Sequence, residues 1–157
     1  GKKSSEGKYK DGVVTGVWTF WHKNGQIKKT GELAPTPGRS DSRPQTIGRW
    51  VYYYDNGQIK HQGDWEKSEY SPKRVGIWKT YHDTGEIAYV GTYVDGREEG
   101  EHIWYFKNGK KESISFFKSG DRVSDTIYYN EDGALATKND LNFSRFFELK
   151  HWYPSRF

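Results

Sequence analysis

The sequence predicts an all-β fold: an elongated, twisted, single-layer antiparallel β-meander of about five 24-residue hairpin repeats, followed by a non-repeat C-terminal cap. Three observations predict it. A string Gly-x-Trp, five residues, Asn/Thr-Gly-x-Ile, three residues, Gly occurs three times with identical spacing. It runs Gly16, Trp18, Asn24, Gly25, Ile27, Gly31; then Gly48, Trp50, Asn56, Gly57, Ile59, Gly63; then Gly76, Trp78, Thr84, Gly85, Ile87, Gly91. Each unit carries Asn-Gly and Asp-Gly turn signals, whose preference for positive φ at both residues favours two-residue hairpin loops. Between the turns lie runs rich in Trp, Tyr, Val, Ile and Thr, which suit a pleated surface.

The elements follow in order. Residues 1–6 read as a flexible tail. The array spans 7–141, opening with a half unit, Gly7 to Gly16, that matches Gly91 to Gly100 position for position. With the first Gly of each copy as position 0, copies start at residues 16, 48, 76, 100 and 124. Steps of 32 and 28 before the two of 24 reveal insertions of eight and four residues, both even, so neither inverts the faces of the sheet. Residues 142–157 form the cap, rich in Phe, Trp and Tyr, where helical and strand periods fit equally well. Its expected role is to cover the last strand edge.

Within a unit, two-residue loops at Asn-Gly would set position 5 opposite 12, 2 opposite 15 and 0 opposite 17. Trp18 then faces Gly31, Trp50 faces Gly63 and Trp78 faces Gly91, each large ring covering the glycine across the hairpin. Alternation puts Gly16, Trp18, Phe20, His22, Ile27, Lys29, Gly31 and Leu33 on an apolar core face. The second face is polar except for position 5, which is aromatic in all five units: Trp21, Tyr53, Tyr81, Tyr105 and Tyr129.

The pattern Asp-Gly-x3-Gly-x-Trp-x2-Tyr-x2-Asn-Gly-x-Ile-x3-Gly-x-Tyr resembles the MORN repeat, in the variant common in bacterial proteins and often labelled antitoxin-like. The likeness covers residues 7–141, with His102 and Thr126 replacing Trp in the last two copies. It implies an elongated single-layer sheet acting as a non-catalytic scaffold or binding module for proteins or lipids, and the label implies a toxin partner.

Composition narrows the function classes. Only 32% of the 157 residues are hydrophobic while 17% are aromatic, so rings must supply much of the burial. Of 25 basic and 21 acidic residues, 1–11 hold four and two and 138–157 hold four and two. The 17 of each sign that remain leave the array neutral, which argues against nucleic acid as partner. The absence of Cys excludes disulfides, thiol catalysis and Cys-ligated zinc. No apolar run approaches the ~18 residues of a membrane helix. The start Gly1-Lys-Lys-Ser-Ser resembles the stretch after a lipoprotein's anchoring Cys, which would place the protein in a bacterial envelope. It equally resembles a vector-derived remnant, which leaves the compartment open.

No catalytic residues, metal or cofactor are expected. His22 and His82 share position 6, but side chains two strands apart stand about 9–10 Å from each other, too far for one zinc at ~2 Å. Asp11 and Asp95 belong to turns, and no catalytic triad or carboxylate pair stands out. Two sets of binding candidates remain. The position 5 ladder, Trp21, Tyr53, Tyr81, Tyr105 and Tyr129, either packs with neighbours such as Val51, Ile77, Ile103 and Ile127 or lines a track for peptide, glycan or lipid headgroups. The insertions supply Arg39, Arg43, Trp65, Tyr70, Lys73 and Arg74, on loops that either drift neutrally or recognise a protein partner.

Overall fold

A computed structural model describes residues 3–36 and 44–136. They form a single antiparallel sheet with no helix. The strands are β1 (Ser5–Lys10), β2 (Val13–Trp21), β3 (Ile27–Ala34), β4 (Gln45–Tyr53), β5 (Ile59–Glu66), β6 (Lys73–Tyr81), β7 (Ile87–Val94), β8 (Arg97–Tyr105), β9 (Lys111–Lys118), β10 (Asp121–Arg122) and β11 (Ile127–Tyr128). Neighbours in sequence are neighbours in the sheet through β10, and β11 also pairs with β9. Among the described residues, the long strands end with β9, and the two-residue β10 and β11 and an isolated Tyr129–Leu135 bridge follow it. The first strand begins at Ser5, inside the segment read from sequence as tail.

Two kinds of turn join the strands. Asp11-Gly12, Asp95-Gly96 and Ser119-Gly120 have positive φ at both residues, as a two-residue hairpin loop requires. The Asn-Gly turns differ from the expectation. At the first, Gly25 has a φ of 98° while Asn24 does not turn positive, and His22 N–H donates to the Gln26 carbonyl. The chain makes a right-handed turn followed by a glycine bulge. Trp21 consequently pairs with Ile27 rather than Lys28, and the same shift recurs at Tyr53–Ile59, Tyr81–Ile87 and Tyr105–Lys111. Ile27 thereby leaves the core face for the ladder face, where it is 40% exposed.

The glycines at position 0 are also bulges. Gly16, Gly48, Gly76 and Gly100 have φ between 60° and 75°. Their strands pair smoothly within the hairpin, yet two residues are skipped against the preceding strand, as between Gly31–Trp50 and Glu32–Ile47. An even skip preserves the faces, and it pushes out the residue after each glycine: Val17 is 65% and Ile77 53% exposed.

Core packing crosses the unit boundaries. A Cβ on Gly31 would collide with the ring of Trp50, one on Gly63 with Trp78 and one on Gly7 with Trp18. The covering ring comes from the next strand in sequence, not from across the hairpin. Trp18, Leu33 and Trp50 form the centre of one cluster, flanked by Val14, Phe20, Tyr52 and Trp65. Trp50 is wholly buried in a sheet one layer thick, because neighbouring rings close over it.

Candidate functional site

Side-chain-to-backbone hydrogen bonds stitch successive units. Trp50 Nε1 donates to the Glu32 carbonyl at 3.0 Å and Trp78 Nε1 to the Asp64 carbonyl at 3.2 Å. Along the Asn-Gly edge, Asn24, Asn56 and Asn108 donate to the carbonyls of Asp55, Asp83 and Glu131 in the following unit. Each of these Asn side chains also accepts the N–H two residues on, so the amide serves the turn and the junction together. Thr84 lacks an amide, and there Lys107 bridges to Asp83 at 3.0 Å, which holds the Asp83 carboxyl below its usual range.

The ladder residues are anchored by the same stitching. His22 Nε2 and His82 Nε2 donate to the carbonyls of Tyr53 and Tyr105, and the Tyr54 hydroxyl donates to the carbonyl of Tyr81. Trp21, Tyr53, Tyr81, Tyr105 and Tyr129 are all half-buried, and no two of their rings pack together. Gln62 donates to the Tyr81 hydroxyl at 2.6 Å, and Lys3 lies over Trp21.

The two insertions meet. Gln45, almost fully buried at the end of the first, donates from its amide to the Ser68 carbonyl in the second and accepts the Ser68 N–H. This double bond clamps the two loops at one edge of the sheet. Beside the clamp Tyr70 is 83% exposed. Lys73 pairs with Asp95, keeping that carboxyl low. Trp65 packs edge-on against Trp78, and Arg74 lies 4.8–5.8 Å from the rings of Trp65, Trp78 and Tyr93. The Trp65 indole N–H is buried with no hydrogen-bond partner among the described residues. Arg39 and Arg43 lie outside the described residues.

His102 fills the Trp slot of the fourth unit. It is 1% exposed, and its ring occupies the space over Gly91. Nε2 bonds the Thr92 carbonyl at 3.0 Å, the place where the earlier units use an indole N–H. A carbonyl can only accept, so Nε2 carries the proton and Nδ1 accepts from the Tyr89 hydroxyl at 2.7 Å. Tyr93 completes the network 3.1 Å from the Tyr89 oxygen. Burial lowers the His102 pKa and raises that of Tyr89, so both stay neutral.

Hairpins that recur at this spacing and stitch unit to unit coincide with a known repeat. The MORN repeat variant matches residues 14–33, 47–67, 74–95 and 98–119, more than half of the chain. The chain belongs to the MORN repeat variant family. These four MORN matches correspond to the first four units. No curated protein matches the chain. MORN repeats are associated with binding and scaffold roles and are a non-enzymatic repeat type. Among the described residues, no group of His, Asp or Glu is placed to hold a metal, and no helix is long and apolar enough to cross a membrane.

Sequence reasoning missed three features that matter here. The Gln45 clamp had no sequence signal beyond its place at a loop end. The His102 network was visible only as a departure from Trp. Lys29, which alternation places on the core face, lies over three rings, and so does Arg74; Trp65, Lys73 and Arg74, expected on an inserted loop, lie instead in β5 and β6, because the strands extend into the insertion.

Proposed function

We propose that this MORN protein is a non-catalytic binding module for another protein, engaging it through the clamped insertions and the adjoining sheet. The observation that carries this reading is the joining of the two insertions by Gln45 and Ser68 beside a Tyr70 ring that is 83% exposed. The two part-buried hydrogen bonds between Gln45 and Ser68 fix the two insertions to each other at that point, which lowers the ordering cost of association there. An exposed tyrosine offers large contact area with few rotamers to freeze. The near-neutral array supports a protein rather than a nucleic acid. A toxin, implied by the family label, is one such partner. A glycan or lipid track along the position 5 ladder has less support, since its rings are half-buried and tied to their own neighbours.

The test is quantitative capture from a native lysate by the wild-type protein, a variant lacking residues 35–45 and the double variant Tyr53→Ala, Tyr81→Ala. Loss of the same protein band in the deletion but not in the double variant is expected. Equal capture by all three overturns the role of the loops, and loss only in the double variant transfers the function to the ladder.

A further inference from the structure

The Trp slot of the fourth unit differs from the others in chemistry as well as in size. In the second and third units an indole N–H donates to a carbonyl of the preceding strand, and indole has no acceptor of its own. His102 keeps that donor bond through Nε2 and adds an acceptor, Nδ1, which takes the Tyr89 hydroxyl at 2.7 Å. Tyr93 donates in turn to the Tyr89 oxygen. All three side chains are buried, Tyr89 to 7% exposure. Tyr89 is thus a phenol shut away from water with a neutral base at the end of its O–H bond.

We infer that Tyr89 is a site of reversible one-electron oxidation, with His102 as its internal proton acceptor and Trp104 as the ring through which the electron leaves. An oxidised phenol is a strong acid, so a buried phenol yields an electron only where its proton can move in the same step. The Tyr89 ring gives one electron to a one-electron oxidant, a metal complex or an organic radical, which is thereby reduced. The O–H bond breaks and the proton passes to Nδ1 of His102, leaving a neutral tyrosyl radical beside an imidazolium. Nε2–H stays on the Thr92 carbonyl and the Tyr93 hydroxyl stays on the tyrosyl oxygen, so no buried polar group loses its partner. Burial keeps His102 neutral at rest, while the Thr92 carbonyl and the Glu98 carboxylate work the other way and favour the transient cation. A one-electron reductant returns the electron, and the proton goes back along the same bond.

The electron has a route. The Tyr89 ring centroid lies 5.1 Å from that of Trp104, which is half-buried and so reaches the surface. Other phenols lack the base. Tyr54 donates to a carbonyl, and the Tyr81 hydroxyl accepts from Gln62. This chemistry is independent of what the insertions bind.

Flash oxidation of the full chain with photogenerated tris(bipyridyl)ruthenium(III) tests this, read by transient absorption and electron paramagnetic resonance. A tyrosyl radical should form, more slowly in heavy water, and Tyr89→Phe should remove most of it. His102→Gln keeps an acceptor for the hydroxyl and a donor for the Thr92 carbonyl but is no base. It should slow tyrosyl formation about a hundredfold, the low end of what a positioned proton acceptor contributes. Trp104→Phe should also slow it, and Tyr54→Phe should leave it unchanged. Should His102→Gln not fold, as judged by near-ultraviolet circular dichroism, Tyr89→Phe and the solvent isotope effect carry the test. An undiminished signal in Tyr89→Phe, its loss in Tyr54→Phe, a wild-type rate in folded His102→Gln or in Trp104→Phe, or equal rates in light and heavy water overturns the inference.

Discussion

Trp50 concentrates the residue-scale logic of this fold. It fills the space over Gly31, donates to the Glu32 carbonyl and is fully buried, so a large-to-small change there opens a cavity and strands an acceptor. Trp50→Ala should cost about 3–5 kcal/mol in a urea titration. Gly31→Ala should also destabilise markedly, because the added methyl meets a ring that has no room to retreat. Gly16→Ala should cost less, about 1 kcal/mol, since its side has open space and only the φ of 69° resists. His61 adds a pH dependence. Burial, Lys60 and Arg74 push its pKa from 6.5 down to about 4, so the unfolded chain binds its proton first. The associated stability is complete above pH 6.5, falls as the pH drops and levels off below about 4. Chemical denaturation of wild type and His61→Phe at pH 7 and pH 4 should show a loss on the order of 2 kcal/mol that the variant lacks. The buried, neutral His102 works in the same direction.

At the scale of elements, the hairpins were legible and their junctions were not. Trp18 opposite Gly31 and Gly16 opposite Leu33 follow from strand alternation around a turn, and the registers agree. Position 5 opposite 12 failed because Asn-Gly was assigned a two-residue loop, and the extra bulge residue cannot be told from the dipeptide alone. The covering of glycines was assigned to the wrong partner for a related reason. Gly31 faces a Trp on both sides, Trp18 and Trp50, and only packing in three dimensions decides which ring lies over it. The insertions carry a prediction at this scale. Gln45→Ala removes both bonds of the clamp and leaves the Ser68 backbone groups to find water, a cost of about 1–3 kcal/mol. Hydrogen exchange should rise at residues 66–72 in that variant, and an unchanged protection pattern there would show that the clamp does not hold the loops together.

For the whole molecule, each strand touches chiefly its sequence neighbours, so stability is a sum of unit and junction terms. Hydrogen-exchange protection should therefore be graded, highest for β4–β8 and lower for β1 and for the two-residue β10 and β11. Uniform protection across the sheet would contradict this. The same linearity governs function. The described sheet offers two faces and two edges, and the ladder and the joined insertions occupy different parts of that surface.

The repeat length, the strand count per unit, the family and the parity of the faces away from the Asn-Gly turns were legible in the residues, because each depends on local turn chemistry and on a period of two. Tertiary structure alone decided which ring covers which glycine, how His102 substitutes for Trp, that Gln45 joins the two insertions and that Lys29 and Arg74 lie over rings. Those features depend on contacts between units, where several partners are equally compatible with spacing and only packing in space selects one.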